Sequence, residues 1–350
     1  MQLVKIRDSL IGKNQPCFIS LEAGGTWTNF ENAKKMIEDV GKAGANAIKF
    51  QTFLPGDSER ILEDKDLKVK FSNEDGEKSE LIKDVFKRRE LTKEQWSELV
   101  ELAKKSNLAF ISTPIFPESV DFLVEQKIDA IKIAKGDINN VLLINYASKN
   151  KIPIILDGRE KFSDVDNAIK ICKKNDNNQI IIMHCPSGYP AESSGVHLNA
   201  IKEIKNKYDY PVGFSDHSPG DMMNYAAIAM GASMLEKTIT SDKKIDQVEH
   251  SMSLELREIE DFVKNIRILE NAMGNGKILY TSRVSEDVRR SLVAKLEIKK
   301  GQKISWEMID YKRPGNMGIS VSDGFQVQNK IAKEDIKKGE ILSWGKIENP

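Results

Sequence analysis

From residue 17 to about residue 272 the chain alternates two patterns. Short apolar runs recur: CFISLEA (17–23), ANAIKF (45–50), LAFIST (108–113), DAIKIA (129–134), IPIILD (152–157), QIIIMH (179–184), YPVGFSD (210–216) and ASMLEK (232–237). They are too short for helices and mostly rich in Ile, Val, Phe and Leu. That is the pattern of strands buried on both faces, as a parallel sheet requires. The stretches between them carry apolar residues at helical spacing. Residues 29–43 place Ala33, Met36, Ile37 and Val40 on one stripe, and residues 92–106 open with TKEQ, a capping box. Residues 118–126, 164–174, 198–206, 221–230 and 255–272 read as helices in the same way. Eight strands alternating with helices predict an α/β fold, a closed (βα)8 TIM barrel rather than an open doubly wound sheet. One long insertion, residues 52–90, is charged and irregular, and is expected to serve as a lid or a dimer arm.

The pattern breaks at MGNGK (273–277), and the rest of the chain changes character. It holds an internal repeat, IKKGQKISWEMI (298–309) and IKKGEILSWGKI (336–347), identical at seven of twelve positions. Each half reads as strand, KKG turn, short strand and helical turn, with Trp306 and Trp344 expected in the core. Repeats this short bury a core only against each other, so they predict a small pseudo-symmetric β domain. The expected organisation is a barrel over 1–272, a linker over 273–290 and a small domain over 291–350.

Composition narrows the function classes. Of 350 residues, 53 are basic and 53 acidic, so net charge gives no argument for nucleic-acid or membrane binding, and an anionic ligand has to be held by local charge. Cys17, Cys172 and Cys185 are widely spaced with no CxxC pair, which fits a reduced, cytoplasmic setting without a zinc cluster or disulfide framework. No run of 18 apolar residues suggests a membrane span, and the first residues lack the apolar run of a signal peptide.

In a β/α barrel the site forms at the carboxyl ends of the strands. Those ends carry Glu22; Lys49 and Gln51; Ser112, Thr113 and Pro114; Lys132, then Lys135 and Asp137; Asp157 and Arg159; His184, then Ser187 and Tyr189; Ser215, Asp216 and His217; and Glu236, Lys237 and Thr238. Each has a structural reading: Glu22 paired with Lys49, His184 bonded to backbone in the core, Asp216 capping a turn, Cys185 a small buried residue. A polar group on every strand end is harder to explain that way. Lysines and an arginine converging on one mouth suggest an anionic substrate, such as a phosphate with a carboxylate. Glu22 and His217 suit proton transfer or a divalent metal.

These residues resemble the sialic acid synthase family, which includes N-acetylneuraminate, legionaminate and pseudaminate synthases. The likeness runs through AIKFQT (47–52), FISTP (110–114), IKIAKGD (131–137), IMHC and GYP (182–190), GFSDHS (213–218) and LEK (235–237). It resumes in KRPGN (312–316) and IAKEDIKKGEIL (331–342). The resemblance implies a barrel followed by an antifreeze-like (SAF, β-clip) domain. It implies condensation of phosphoenolpyruvate with an N-acyl hexosamine aldehyde, assisted by manganese or magnesium, in a domain-exchanged homodimer. It places Lys49, Gln51, Thr113, Lys132, Lys135, Ser187 and Ser215 on the phosphoenolpyruvate side, and Glu22 as the catalytic carboxylate. His217 matches a metal ligand and catalytic residue; Tyr189, Asp137 and Arg313 fall on the sugar side. Against the family pattern, Gly25-Thr26-Trp27-Thr28 replaces an Asn-His-x-Gly stretch, Thr238 replaces the second metal histidine, and Lys135 replaces a phosphate-binding serine. Gln247 aligns with an acidic position, with His250 nearby as a substitute ligand. Two other readings stand beside the synthase: a non-catalytic barrel that binds a sugar or partners a true synthase, and a lyase or aldolase forming a Schiff base on Lys49, Lys132 or Lys135.

Overall fold

The computed structural model describes residues 2–158, 161–274, 288–313 and 317–350. The chain divides into two compact units, Met1–Gly274 and Asn275–Pro350. Arg159, most of the expected linker and residues 314–316 of the KRPGN motif lie outside the described residues.

All eight apolar runs form strands: β1 (Phe18–Glu22), β2 (Ala47–Thr52), β3 (Ala109–Pro114), β4 (Ala130–Ile133), β5 (Ile154–Asp157), β6 (Ile180–His184), β7 (Val212–Asp216) and β8 (Met234–Thr240). Each pairs in parallel with the next, and β8 pairs with both β7 and β1, which closes the barrel. Eight helices follow the strands in turn: α1 (Phe30–Lys42), α2 (Lys93–Lys105), α3 (Pro117–Glu125), α4 (Val141–Ser148), α5 (Phe162–Lys174), α6 (Ala200–Lys207), α7 (Met222–Ala229) and α8 (Ile259–Met273). The TKEQ signal works as read: Thr92 caps α2 and Gln95 returns the bond. Helix α4 was not legible in the pattern because VLLINYAS is apolar nearly all round and shows no stripe.

Period-two alternation sorts the strand residues. Ile19, Leu21, Ile48, Phe50, Phe110, Ile131, Leu156, Ile182, Phe214 and Leu235 join one core with the helices. The alternate positions face the barrel axis. Their lower layer, Phe18, Ala47, Ala109, Ile111, Ala130, Ile155, Ile181, Met183 and Met234, is apolar. Val4, Ile6 and Ile11, from an N-terminal hairpin that the pattern did not announce, belong to the same cluster. The upper layer of the same parity is polar, and it forms the site.

The insertion is not irregular. It holds a hairpin, Lys68–Asn73 with Gly76–Leu81, and a helix, Ile82–Lys87. Phe71 and Val85 pack on Val248, with Tyr189 and Phe86 alongside, so the segment lies on the carboxyl face of the barrel. Charged surface positions had masked this small apolar contact.

In the second unit the repeats pack on each other. Ile298 and Ile336 exchange backbone hydrogen bonds of 2.9 and 2.8 Å, and the paired glycines of the KKG turns, Gly301 and Gly339, take φ 79 and 83°. The core is Leu292, Ile298, Ile304, Ile336, Leu342 and Ile347. Trp306 and Trp344 do not belong to it: they are 40% and 46% exposed. Each indole opens a 3-10 turn at the surface, while Ile304 and Leu342, just before each turn, fill the core.

Candidate active site

A cavity of about 230 Å³ opens at the carboxyl ends of the strands. Its wall is the inward set of strand ends: Glu22, Lys49, Gln51, Lys132, Asp157, Cys185, Ser215, His217, Glu236 and Thr238. Lys135 and Tyr189 join from strand-end loops, Phe86 and Arg89 from the insertion, and Glu249 from the loop after β8.

The floor is a chain of buried charges. Lys49 Nζ lies 2.5 Å from Glu22 Oε1 and 3.3 Å from Glu236 Oε1. Lys132 Nζ lies 3.0 and 3.2 Å from the two oxygens of Glu236, and Ser215 Oγ donates to the same carboxylate at 2.8 Å. Burial alone would push Glu236 up, but Lys132 and Lys49 hold its carboxyl well below the usual carboxylate range. Burial would likewise push Lys132 down; the Glu236 charge overrides it and keeps the ammonium protonated. Gln51 Nε2 donates to Glu22 at 3.3 Å. Tyr189 stacks on His217 with ring centres 5.0 Å apart.

The expected residues do not all meet. Glu22, Lys49, Gln51, Lys132, Lys135, Ser215, His217 and Tyr189 line one cavity. Thr113 is buried on β3 but lines no part of it, and its hydroxyl has no hydrogen-bond partner. Ser187 is exposed on the loop after β6. Asp137 sits in a 3-10 turn after β4 and accepts from Asn140 at 2.7 Å. Arg313 is exposed in the second unit. Residues of the opposite parity turn away from the cavity. His184 bonds the Val196 carbonyl at 2.7 Å, and Ser112 bonds Thr52 and the Phe50 carbonyl. Lys237 pairs with Asp216 at 2.8 Å, and Asp216 also accepts from Asn224 and caps the turn at Ser218.

Three lining residues carry chemistry that sequence reasoning left unassigned. Glu236 was legible, because it shares the parity of Thr238 and lies on β8 opposite Ser215. Arg89 and Glu249 had no local signal: KRRE in a charged insertion reads as a solvated face. Arg89 is 4% exposed, donates to Gln51 and pairs with Glu249 at 3.3 Å. Burial raises the Glu249 carboxyl although Arg89 opposes it. Neither Gln247 nor His250 lines the cavity; His250 is fully buried and bonds Thr240 at 2.8 Å.

The donor set does not fit a divalent metal at His217. The partner position is Thr238, a weak neutral ligand, and three carboxylates of the wall, Glu22, Glu236 and Glu249, are already paired with lysine or arginine. Among the described residues no three His, Cys, Asp or Glu side chains gather in a way that could hold an ion.

The model of the NeuB family matches residues 36–278 of this sequence, and that of the SAF domain residues 289–348. The chain belongs to the NeuB family. An N,N'-diacetyllegionaminic acid synthase of Campylobacter jejuni is 36% identical, over 82% of this chain and 87% of that protein. An uncharacterized protein of Methanocaldococcus jannaschii is 37% identical over 90% of each. Among solved structures, the N-acetylneuraminic acid (sialic acid) synthetase of Leptospira borgpetersenii superposes with a TM-score of 0.71. It is 30% identical and covers 82% of this chain and 95% of its own. The barrel and the SAF domain are thus the NeuB architecture. No helix of the described residues is long and apolar enough to cross a membrane.

Proposed function

We propose that the protein condenses phosphoenolpyruvate with an N-acyl hexosamine or related sugar aldehyde, giving a 2-keto-3-deoxy sugar acid and inorganic phosphate. The observation that carries this reading is the buried network of Glu22, Lys49, Glu236, Lys132 and Ser215 on the barrel axis. Two ammonium groups and a hydroxyl converge there, suited to the carboxylate and phosphate of a small anion. The relatives named as legionaminic, pseudaminic and sialic acid synthases support the same class.

The chemistry balances with these groups. The C2–C3 π pair of the enol forms a bond from C3 to the aldehyde carbon, and the carbonyl pair moves onto oxygen. Water adds to C2, one of its protons passes through Glu22 to the new alkoxide, and as the C2–O bond to phosphate breaks the remaining C2–O–H proton leaves with the phosphate and C2=O forms. Lys49 and Lys132 orient the enol, which makes the encounter effectively intramolecular. A Schiff-base role for Lys132 is disfavoured, because Glu236 holds the ammonium protonated.

The test has two arms. Calorimetric titration with phosphoenolpyruvate is expected to show saturable binding that Lys49→Met abolishes. Phosphate release is expected with at least one of a panel of N-acyl hexosamines. Failure to bind phosphoenolpyruvate would favour a non-catalytic barrel. The domain-exchanged homodimer, with Arg313 reaching a partner's sugar, is part of this reading. Light scattering on the full chain checks it, and a monomeric mass would remove it.

A further inference from the structure

Arg89 reaches the cavity from the end of the insertion, and the site is built around it. Gly25, in the loop after β1, leaves the space it needs: a Cβ there would lie 2.2 Å from Nη2 and 2.8 Å from both Cζ and Nε. A side chain at 25 would require the guanidinium to move from this position. Gly24 makes room in the same way for Glu22, whose Oε1 would lie 2.4 Å from a Cβ. Two adjacent glycines thus seat the carboxylate and the guanidinium side by side, and Gln51 bridges them, accepting from Arg89 and donating to Glu22.

The Arg89–Glu249 pair is incomplete. Arg89 Nε and Glu249 Oε2 are both buried with no hydrogen-bond partner. A buried donor or acceptor left unmade is costly, and native structures retain few of them. Glu249 also holds a left-handed backbone, φ 78°, which residues with a side chain seldom adopt and which recurs at functional sites. The unpaired N–H donor and the unpaired carboxylate acceptor belong to two paired residues of the cavity wall, and together they suit a ligand that presents a carbonyl oxygen next to an O–H or N–H. An open-chain N-acyl hexosamine has that pair in its aldehyde and the neighbouring substituents.

We infer that Arg89 is the electrophile of this site: its guanidinium binds the aldehyde oxygen of the acceptor in place of a divalent metal, and Glu249 accepts from the adjacent O–H or N–H. The inference rests on the condensation proposed above. As C3 of the enol bonds to the aldehyde carbon, charge develops on the aldehyde oxygen. A guanidinium already fixed by Gln51 and Glu249 stabilises that charge without reorganising. The disagreement between the donor set and a metal is then explained: a permanent cation held by the insertion does the work that Thr238 cannot support.

The experiment uses the full chain stripped with chelator. Phosphate release with the N-acyl hexosamine panel is expected to change less than about twofold on adding Mn2+. Paramagnetic titration is expected to show no Mn2+ binding below millimolar. Arg89→Lys is expected to lower kcat by about 100-fold or more while the phosphoenolpyruvate Kd stays within about threefold, since a point charge does not reproduce the fork. Gly25→Ala, which displaces the guanidinium without removing it, is expected to raise the acceptor KM with the same indifference to phosphoenolpyruvate. Micromolar Mn2+ binding, strong activation by Mn2+, or an Arg89→Lys variant of near-native kcat would overturn the inference. If no sugar turns over, the Mn2+ titration still decides between the two cations. Loss of phosphoenolpyruvate binding by the unaltered chain would instead remove the condensation itself.

Discussion

Lys132 and Glu236 face each other across the barrel axis as a two-pronged ion pair, 3.0 and 3.2 Å from Nζ to the two carboxylate oxygens, with both side chains almost wholly buried. Buried pairs gain little over apolar residues of the same shape, but breaking one strands the survivor at a cost of about 3–5 kcal/mol. This pair therefore reads as a device for holding charge where a substrate needs it.

Lys132→Met is expected to destabilise the barrel by about that amount, read as a lower urea midpoint at unchanged slope. Glu236→Gln keeps the shape and the Ser215 bond but releases the charge of Lys132, while Lys49 keeps its pair with Glu22. It is expected to bind phosphoenolpyruvate more tightly, by about tenfold for a gain of about 1.4 kcal/mol, measured by calorimetry. Weaker binding by Glu236→Gln would show that the carboxylate itself helps to organise the anion site.

How far the sequence revealed this arrangement depends on the range of the signal. The strands were legible because each is a contiguous apolar run, and the cavity wall followed from strand ends. Parity was the missing step: Lys49, Lys132 and Glu236 share the inward phase, whereas His184, Asp216 and Lys237 share the outward one. Choosing by position in the run mixed the two sets, and choosing every second residue would have separated them. Arg89 and Glu249 belong to segments 160 residues apart and meet only through the fold. No window along the chain contains that pairing.

The outward set gives its own prediction. Lys237 and Asp216 are fully buried, 2.8 Å apart, and are held between the barrel wall and α7 by Asn224. Burial pushes the Lys237 ammonium down and Asp216 only partly restores it. Lys237→Met is expected to cost about 3–5 kcal/mol by stranding Asp216, with phosphoenolpyruvate affinity in the surviving folded protein unchanged. A shifted affinity without lost stability would mean that Lys237 reaches the cavity.

His250 sets an acid limit. Thr240 Oγ1 donates its one proton to the Asp242 carbonyl at 3.1 Å, so the ring nitrogen 2.8 Å from that hydroxyl, Nδ1, is the donor, and Nε2 is buried without a partner. Burial lowers the ring from 6.5 to about 4. A depressed folded value means that the neutral ring is the folded form. Its stabilisation is present above pH 6.5 and is lost as pH falls toward 4. Between pH 6.5 and pH 5 stability is expected to drop by about 2 kcal/mol on this account, at about 1.4 kcal/mol per unit. His250→Gln is expected to flatten that interval of the urea-midpoint profile, and an unchanged slope would assign the loss elsewhere.

The second unit separates repeat identity from core membership. Ile298 and Ile336 are fully buried and exchange backbone bonds across the pseudo-symmetric pair, whereas Trp306 and Trp344, equally repeated, are half exposed. Ile298→Ala is expected to cost about 2–5 kcal/mol through the cavity it leaves. Trp306→Ala, which loses the edge contact with Phe325 at 5.4 Å from a partly exposed indole, is expected to cost less than about 1 kcal/mol. Gly301→Ala and Gly339→Ala fall between, because each forces a side chain into a left-handed turn at about 1–2 kcal/mol. Hydrogen exchange of residues 291–350 in the full chain reads all four. A Trp306→Ala loss equal to that of Ile298→Ala would mean that the indole is covered in solution, by a surface from outside this small domain.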